Sequence, residues 1–454
     1  MTNKIQEYFD SVRGKKIAFI GLGRTNLPLI KMFCDAGANV YACDSKSALQ
    51  LGECAEAAKG YGAILSLGED YLSSLNVDVV FRTPGMNYNH PELVKMRENG
   101  VVVTSEMELF FELCPAHIVA VTGSDGKTTT TTLISKILGS AGKVYVGGNI
   151  GAPLLPYVEE MTKDDWAVLE LSSFQLHTMN RSPDIAVVTN LSPNHLDYHR
   201  GMEEYVEAKK NIFLHQKPGS KLVLNKNNDI TRSFEAEAAD GCEVIFFADE
   251  SGVCERDGAI WYKGEKVIDV DDILLPGHHN VENYMAAIAA TYPIVGAEPI
   301  RELARTFGGV EHRLEFVREK DGVRFYNSSI DSSPTRTTAA LSAFKEKVIV
   351  ILGGYDKQIP FEPLARPLCE HCKTAILCGA TAAKIRAAVE NSDEYKAAPF
   401  EMIDADNFED AVHRAAALAV SGDNVVLSPA CASFDAFPNF MVRGNRFKEI
   451  VRSL

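Results

Sequence analysis

Short runs rich in Val, Ile and Leu alternate along this chain with longer stretches in which apolar residues recur every three or four positions. The short runs suit strands buried on both faces, and the longer stretches suit amphipathic helices packed over them. The opening unit reads as a strand at 16–21, a turn, a helix over 27–36 and a strand at 39–44. Strands at 77–81 and 101–104 complete a small doubly wound domain ending near residue 105. A second block carries strands at 118–121, 166–171, 185–189 and 221–224, and a third, after Gly308-Gly309, carries strands at 347–354, 374–378 and 424–428. The pattern predicts an α/β protein of three domains joined by short hinges. These are a Rossmann-like domain at 1–105, a central domain at 106–309 with a parallel sheet of the phosphate-loop ATPase kind, and a Rossmann-like domain at 310–454. Such sheets bind ligands at the C-terminal ends of their strands, so three crevices are expected to serve one cleft.

Composition narrows the classes of partner. A formal net charge of −15 argues against nonspecific nucleic-acid binding, which needs clustered Lys and Arg, but leaves small anions open. The first residues hold no apolar signal core and no run of about 18 apolar residues follows, so a cytoplasmic protein without membrane insertion is expected. The ten cysteines are scattered and read as reduced, mostly buried side chains. Cys369-Glu370-His371-Cys372 is a local cluster of metal-ligand types, but it lacks the second pair that a zinc site normally needs.

The most specific chemistry lies where the strand at 118–121 ends. Thr122-Gly123-Ser124-Asp125-Gly126-Lys127-Thr128-Thr129 sets two glycines in a turn and Lys-Thr-Thr at the start of a helix. Backbone N–H groups and a helix N-terminus then converge on one point, which suits a polyphosphate. Lys127 would reach the terminal phosphates, and the hydroxyl of Thr128 or Thr129 would help hold Mg²⁺. The common phosphate loop has a glycine six positions before its lysine; here Val121 stands there, so the loop is a shortened variant. Gly21-Leu22-Gly23-Arg24-Thr25-Asn26 is less specific, with Asn26 in place of a third glycine and Asp44 ending the next strand. A structural turn, an altered nucleotide pocket and an NAD site all stay open there. Glu170 ends an apolar strand, a place for a solvated edge carboxylate or for a metal ligand beside a phosphate loop. His195 follows the next strand at the same sheet edge, and Lys209 would ordinarily be a solvated helix lysine. Asn280 and Asn283 stand three apart on one helical face and could clasp an adenine edge.

Eight motifs in order resemble one family, the Mur ligases of peptidoglycan synthesis. They are T-G-S-D-G-K-T, Gly147-Gly148-Asn149-Ile150-Gly151, L-E-L-S-S-F-Q-L at 169–176 and N-H-L-D at 194–197. The others are Y-V-E-A-K at 205–209, G-H-H-N-V-E-N at 277–283, Glu311-His312-Arg313-Leu314-Glu315, and S-P-A-C-A-S-F-D at 428–435. The resemblance covers nearly the whole chain. It implies ATP-driven amide formation through an acyl phosphate, joining D-glutamate to UDP-N-acetylmuramoyl-L-alanine, in a monomer.

By that resemblance Gly123 to Thr129 cradle ATP and Lys127 contacts the transferring phosphoryl group. Thr128 and Glu170 bind one Mg²⁺. His195 binds a second, supported by Lys209 as a carbamate formed with CO₂, since an unmodified ammonium would repel the metal. Asn280 and Asn283 hold adenine, and His312 and Arg313 the ribose and phosphates. Arg24, Thr25, Asp44, Ser45, Gly85 and Asn149 take the nucleotide-sugar substrate. Lys357 takes one D-glutamate carboxylate, with Ser433 and the Phe440 backbone near the other and Ser332 supplying a hydroxyl. One segment departs from the family, which usually carries D-S-K-A-T-N: Ile330 stands at the lysine and Ser328 at the first aspartate. Asp331, Thr335 or Arg336 could take over. A folylpolyglutamate-synthetase-like ligase and a non-catalytic UDP-sugar or dinucleotide sensor are the competing readings. The first is weakened by the apparent nucleotide-sugar domain, the second by Lys127, Glu170, His195 and Lys209 occurring together. Closure of the domains around ATP is a further expectation.

Overall fold

A computed structural model describes residues 4–23, 26–73, 75–193 and 199–454. The chain forms two compact units, Met1–Val267 with Asn283–Ile300, and Ile268–Glu282 with Arg301–Leu454.

The first unit holds two sheets. One is five-stranded and parallel, in the order Ile64–Leu67, Asn39–Asp44, Lys16–Ile20, Val79–Phe81, Val102–Thr104. Ile17 to Ile20 are all buried, as a central strand covered on both faces requires. Phe19 stacks on Phe81 at 4.7 Å, and Phe33 from the helix Leu27–Asp35 meets both rings edge-on. The second sheet has nine strands. Its parallel part runs Glu243–Phe247, Lys221–Asn225, Ile185–Val188, His117–Thr122, Trp166–Glu170, Val144–Gly148. Beyond it an antiparallel hairpin, Val253–Arg256 with Ala259–Tyr262, and a last strand, Glu265–Asp269, extend a sheet that the sequence pattern predicts as parallel. The 254–262 segment mixes charged and aromatic residues, so it offers no buried apolar run to read.

One helix explains why these two sheets share a compact unit. Glu106–Leu113 turns Leu109 and Leu113 into the core of the first sheet, and Met107, Phe110 and Phe111 into the core of the second. Ser105 caps it by accepting from the Glu108 N–H. An apolar girdle this wide belongs to a helix buried between two layers.

The second unit holds a six-stranded sheet in the order Glu315–Lys320, Val323–Asn327, Asn424–Leu427, Val348–Leu352, Cys372–Leu377, Glu401–Asp404. The first pair is antiparallel and the rest parallel. Cys372 lies within a strand and is fully buried, which pushes its thiol well up and disfavours the thiolate that binds metal. Among the described residues no helix is long and apolar enough to cross a membrane.

Candidate active site

Sheet order puts the phosphate loop between two neighbours that both contribute to it. Strand His117–Thr122 lies centrally, with Val121 beside Glu170 on one side and Thr122 beside Val188 on the other. The loop therefore leaves the strand with Glu170 and Thr189 at its shoulders. Thr189 Oγ1 donates to Asp125 O at 2.6 Å, and Asn190 Oδ1 accepts from the Asp125 N–H at 2.9 Å. Ser124 Oγ contacts Ser192 O at 3.0 Å and Tyr205 Oη at 2.9 Å. These contacts fix the loop's curvature from outside. Its glycines are required from inside: a Cβ at Gly123 would lie 1.9 Å from Thr189 Oγ1, and one at Gly126 2.4 Å from Asn283 Oδ1. Gly126 also has φ +77° and caps the helix Lys127–Leu138, whose first N–H groups lack intrahelical acceptors.

Lys127 Nζ donates to Gly123 O at 3.0 Å and Ser124 O at 2.8 Å, folding the ammonium over the loop. Thr128 Oγ1 donates to Glu170 Oε2 at 2.7 Å, and Asn149 Nδ2 to Glu170 Oε1 at 2.8 Å. Asn149, expected at the substrate's sugar or diphosphate, is thus engaged with the Glu170 carboxylate. Thr129 occupies the same first helical turn, half-buried.

Lys209 is not a solvated helix lysine. It is 2% exposed, and its Nζ donates to Thr122 Oγ1 and Gly123 O, each at 2.9 Å. Burial holds its pKa well below the ordinary lysine value, and the nearby Lys127 charge adds to this against a partial offset from Glu170. The environment favours the neutral amine. His195 lies outside the described residues. Nearby, Ser173 Oγ meets His199 Nε2 at 2.9 Å, and Phe174 stacks on that imidazole.

The glycine turn of the first sheet is closed by its odd residue. Asn26 Nδ2 donates to Gly21 O at 2.7 Å and Ile20 O at 3.1 Å, so the asparagine locks the turn where a third glycine would leave space. Asp44 accepts from the N–H groups of Leu22 and Lys46, at 2.8 and 2.9 Å. Ser45 and Gly85 are exposed, while Arg24 and Thr25 lie outside the described residues. Arg82, just before Thr83-Pro84-Gly85, is buried and donates to Thr178 Oγ1 at 2.8 Å and Phe174 O at 3.2 Å. It ties that loop to the segment following Glu170.

Helix His278–Val295 carries both asparagines proposed for adenine. Asn283 accepts from Thr130 Oγ1 at 3.2 Å, beside the phosphate loop, whereas Asn280 donates to Pro276 O at 2.7 Å.

In the second unit, Lys357 Nζ reaches Ser332 Oγ at 3.2 Å, and Ser329 Oγ donates to Phe440 O at 2.8 Å. Arg443 ties these segments together: buried, it donates to Ser329 Oγ, Ser329 O, Cys431 O and Ala432 O at 2.9–3.0 Å. Ser332, Lys357, Ser433 and Phe440 are thereby held on one set of strand ends. His312, expected at ATP, is 4% exposed and its Nδ1 sits 3.0 Å from Asn327 Nδ2, so its ring is committed to the interior. Burial lowers its pKa, with Glu311 opposing. Arg313 is exposed. Asp331 is buried, accepts from Ser428 Oγ at 2.8 Å, and is pushed up to about 6 by desolvation.

Thr189, Arg82 and Arg443 escape motif reading. The signal for Arg443 is an arginine followed by glycine on the helical face that also carries Phe447, Ile450 and Val451, in Phe440–Ser453. For the loop itself, Gly126→Ala is expected to weaken ATP binding about tenfold or more. A methyl there meets Asn283 and forces a positive φ, a strain of about 1–3 kcal/mol. Nucleotide titration of the folded variant checks this, and unchanged affinity would refute the loop assignment.

Comparison with known proteins agrees with this arrangement. Residues 121–291 match the Mur ligase middle domain, and residues 312–431 the Mur ligase glutamate ligase domain. The chain is 50% identical over 466 residues to the UDP-N-acetylmuramoylalanine--D-glutamate ligase of Acetivibrio thermocellus, covering all of both chains. It is 49% identical over 458 residues to the enzyme of that name from Clostridium beijerinckii, again covering all of both. In fold it resembles the UDP-N-acetylmuramate-alanine ligase of Thermotoga maritima, with TM-score 0.56 and 18% identity over 97% of this chain and 99% of that one. The chain belongs to the Mur ligase family.

Proposed function

We propose that this protein joins D-glutamate to UDP-N-acetylmuramoylalanine, with ATP hydrolysed to ADP and phosphate. A free carboxylate is a poor electrophile, so its oxygen first attacks the γ-phosphorus and ADP leaves. The amine of D-glutamate then attacks the resulting acyl phosphate, the C–O bond to phosphate breaks, and the nitrogen gives up its proton. The observation that carries this reading is the phosphate loop with Lys127 folded over it and the Thr128–Glu170 pair at its shoulder.

Each residue then has a physical task. The first-turn N–H groups of helix Lys127–Leu138 bind and orient the phosphates. Lys127 leaves its loop carbonyls for the γ-phosphoryl oxygens, where a cation stabilises developing charge. Thr128 Oγ1 and Glu170 offer the hard oxygen donors that suit Mg²⁺, which bound there neutralises phosphate charge. Asn149 holds the free Glu170 oxygen in place. Lys209, kept from water and beside Lys127, has its pKa held well below the ordinary lysine value, which favours the neutral form of an amine that adds to CO₂. As a carbamate it would place an anion beside Lys127 and, together with His195, would serve a second Mg²⁺. Asp44 and Asn26 shape the turn expected to meet the UDP moiety, and the second unit supplies the amino-acid residues Ser332, Lys357, Ser433 and Phe440.

Release of ADP is expected only when UDP-N-acetylmuramoylalanine and D-glutamate are both present. A panel of amino acids in a coupled ADP assay tests this. Equal turnover with L-glutamate or a diamino acid would overturn the substrate assignment.

A further inference from the structure

The departure at Ile330 removes a cation expected near ATP or the amino acid, and the second unit holds other cations close by in the chain. Residues 330–332 form a tight turn in which the Ser332 N–H donates to Ile330 O at 2.8 Å. The same carbonyl accepts from Arg336 Nη1 at 3.2 Å. On the other side, Lys357 Nζ reaches Ser332 Oγ at 3.2 Å. Two exposed cations thus stand on one three-residue turn, and among the described residues neither has a carboxylate within ion-pair distance. The turn's own acid, Asp331, is buried and bonded to Ser428; it feels the Arg336 and Arg313 charges but forms no salt bridge with Arg336 or Lys357 among the described residues.

Two cations anchored on one turn mark a place that an anion would complement. Three further features prepare the place for one. Arg443 clamps the backbone of Ser329, one residue before the turn, to Cys431 and Ala432, which makes the turn rigid. Next to Ala432, Ser433 is 2% exposed and its Oγ has no hydrogen-bond partner among the described residues. Helix Pro334–Leu341 starts directly after the turn, and its N-cap Ser333 makes no side-chain cap bond, so the first-turn N–H groups beyond Pro334 receive no capping side chain from it.

We infer that Arg336 is a specificity-determining residue, binding one carboxylate of the incoming dicarboxylic amino acid while Lys357 binds the other. The inference rests on the proposed D-glutamate reading. Of the candidates around Ile330, Thr335 carries no charge and Asp331 carries the wrong one. Arg336 alone presents a guanidinium, whose planar fork matches a carboxylate in two hydrogen bonds.

The competing role is structural, a brace from the first helical turn to Ile330 O. Steady-state kinetics of Arg336→Gln and Arg336→Lys separate the two, with D-glutamate, D-glutamine and D-isoglutamine as amine substrates. Arg336→Gln is expected to raise the KM for D-glutamate about 10- to 100-fold, with the KM values for ATP and the UDP-sugar unchanged. It should also collapse the wild-type preference for D-glutamate over one of the two amides, the one that lacks the carboxylate Arg336 holds. Arg336→Lys should restore part of both effects. A lowered Tm with both preferences intact, or a raised KM for ATP instead, would overturn the assignment. Wild-type enzyme without D-glutamate-dependent ADP release would refute the functional reading itself. Wild-type activity with an unaffected Arg336→Gln variant would refute only the role of Arg336.

Discussion

Lys209→Ala is expected to lose turnover by a factor of about 10²–10³, and acetate or formate at high concentration should restore part of it. The side chain is 2% exposed and touches the phosphate loop through Thr122 Oγ1 and Gly123 O. Truncation therefore removes both a donor to the loop and, on the proposed reading, an anion beside Lys127. A small carboxylate entering the vacated volume can replace the anion but not the tether, so rescue should be incomplete. The depressed lysine pKa makes a second arm available. A neutral amine adds reversibly to CO₂, so wild-type activity should fall in rigorously decarbonated buffer and return with bicarbonate, while Lys209→Ala should be indifferent to it. Full loss without rescue and without bicarbonate dependence would assign Lys209 to loop support alone. Thermal melts of the variant guard against simple unfolding, since a vacated buried lysine leaves a cavity.

The phosphate loop is legible in the sequence because its requirements are local. Gly123 and Gly126 are demanded by positive φ and by atoms pressed against them, and Lys127 and Thr128 follow at fixed spacing. Strands covered on both faces, such as Lys16–Ile20 and Val348–Leu352, read equally well as unbroken apolar runs. Of the edge strands, Val102–Thr104 is read but others are not. Ile64–Leu67 and Glu401–Asp404 are short and half exposed, so they carry no such run and escape pattern reading. The same holds for side chains whose partners are distant backbone atoms. Arg443 and Glu106 act on carbonyls and N–H groups that only the fold brings to them, and no spacing announces that. Lys209 is the instructive intermediate: its place in Y-V-E-A-K suggests metal chemistry by resemblance, but only its burial shows why the ammonium form is disfavoured there. His312 is legible as a motif residue, but its contact with Asn327 is not, because only the fold brings the two together.

Glu106→Gln is expected to stabilise the first unit above pH 7 by about 2 kcal/mol while leaving it unchanged near pH 4.5. Glu106 Oε1 accepts from the N–H groups of Leu154 and Leu155, each at 3.0 Å, at the start of the helix that both sheet cores share. Burial raises its pKa from 4.5 to about 7, outweighing the two N–H bonds that favour the anion. The folded state thus keeps a proton that the unfolded chain gives up, so stability is complete at low pH and is lost as pH climbs through the window from about 4.5 to 7. A full shift of that size corresponds to about 3 kcal/mol, and relaxation of the surroundings around the ionised carboxylate lowers the expected figure to about 2. Glutamine keeps an acceptor for Leu154 and Leu155 and has nothing to titrate. Both tryptophans, Trp166 and Trp261, lie in the first unit, so their fluorescence follows its urea unfolding selectively. The urea midpoint of wild type should fall relative to the variant between pH 5 and pH 8. Parallel midpoints across that range would mean that Glu106 is ionised in the folded state and that water reaches the seam between the two cores. Other raised carboxyl groups, Glu108 and Asp331 among them, titrate in both proteins and cancel in the difference.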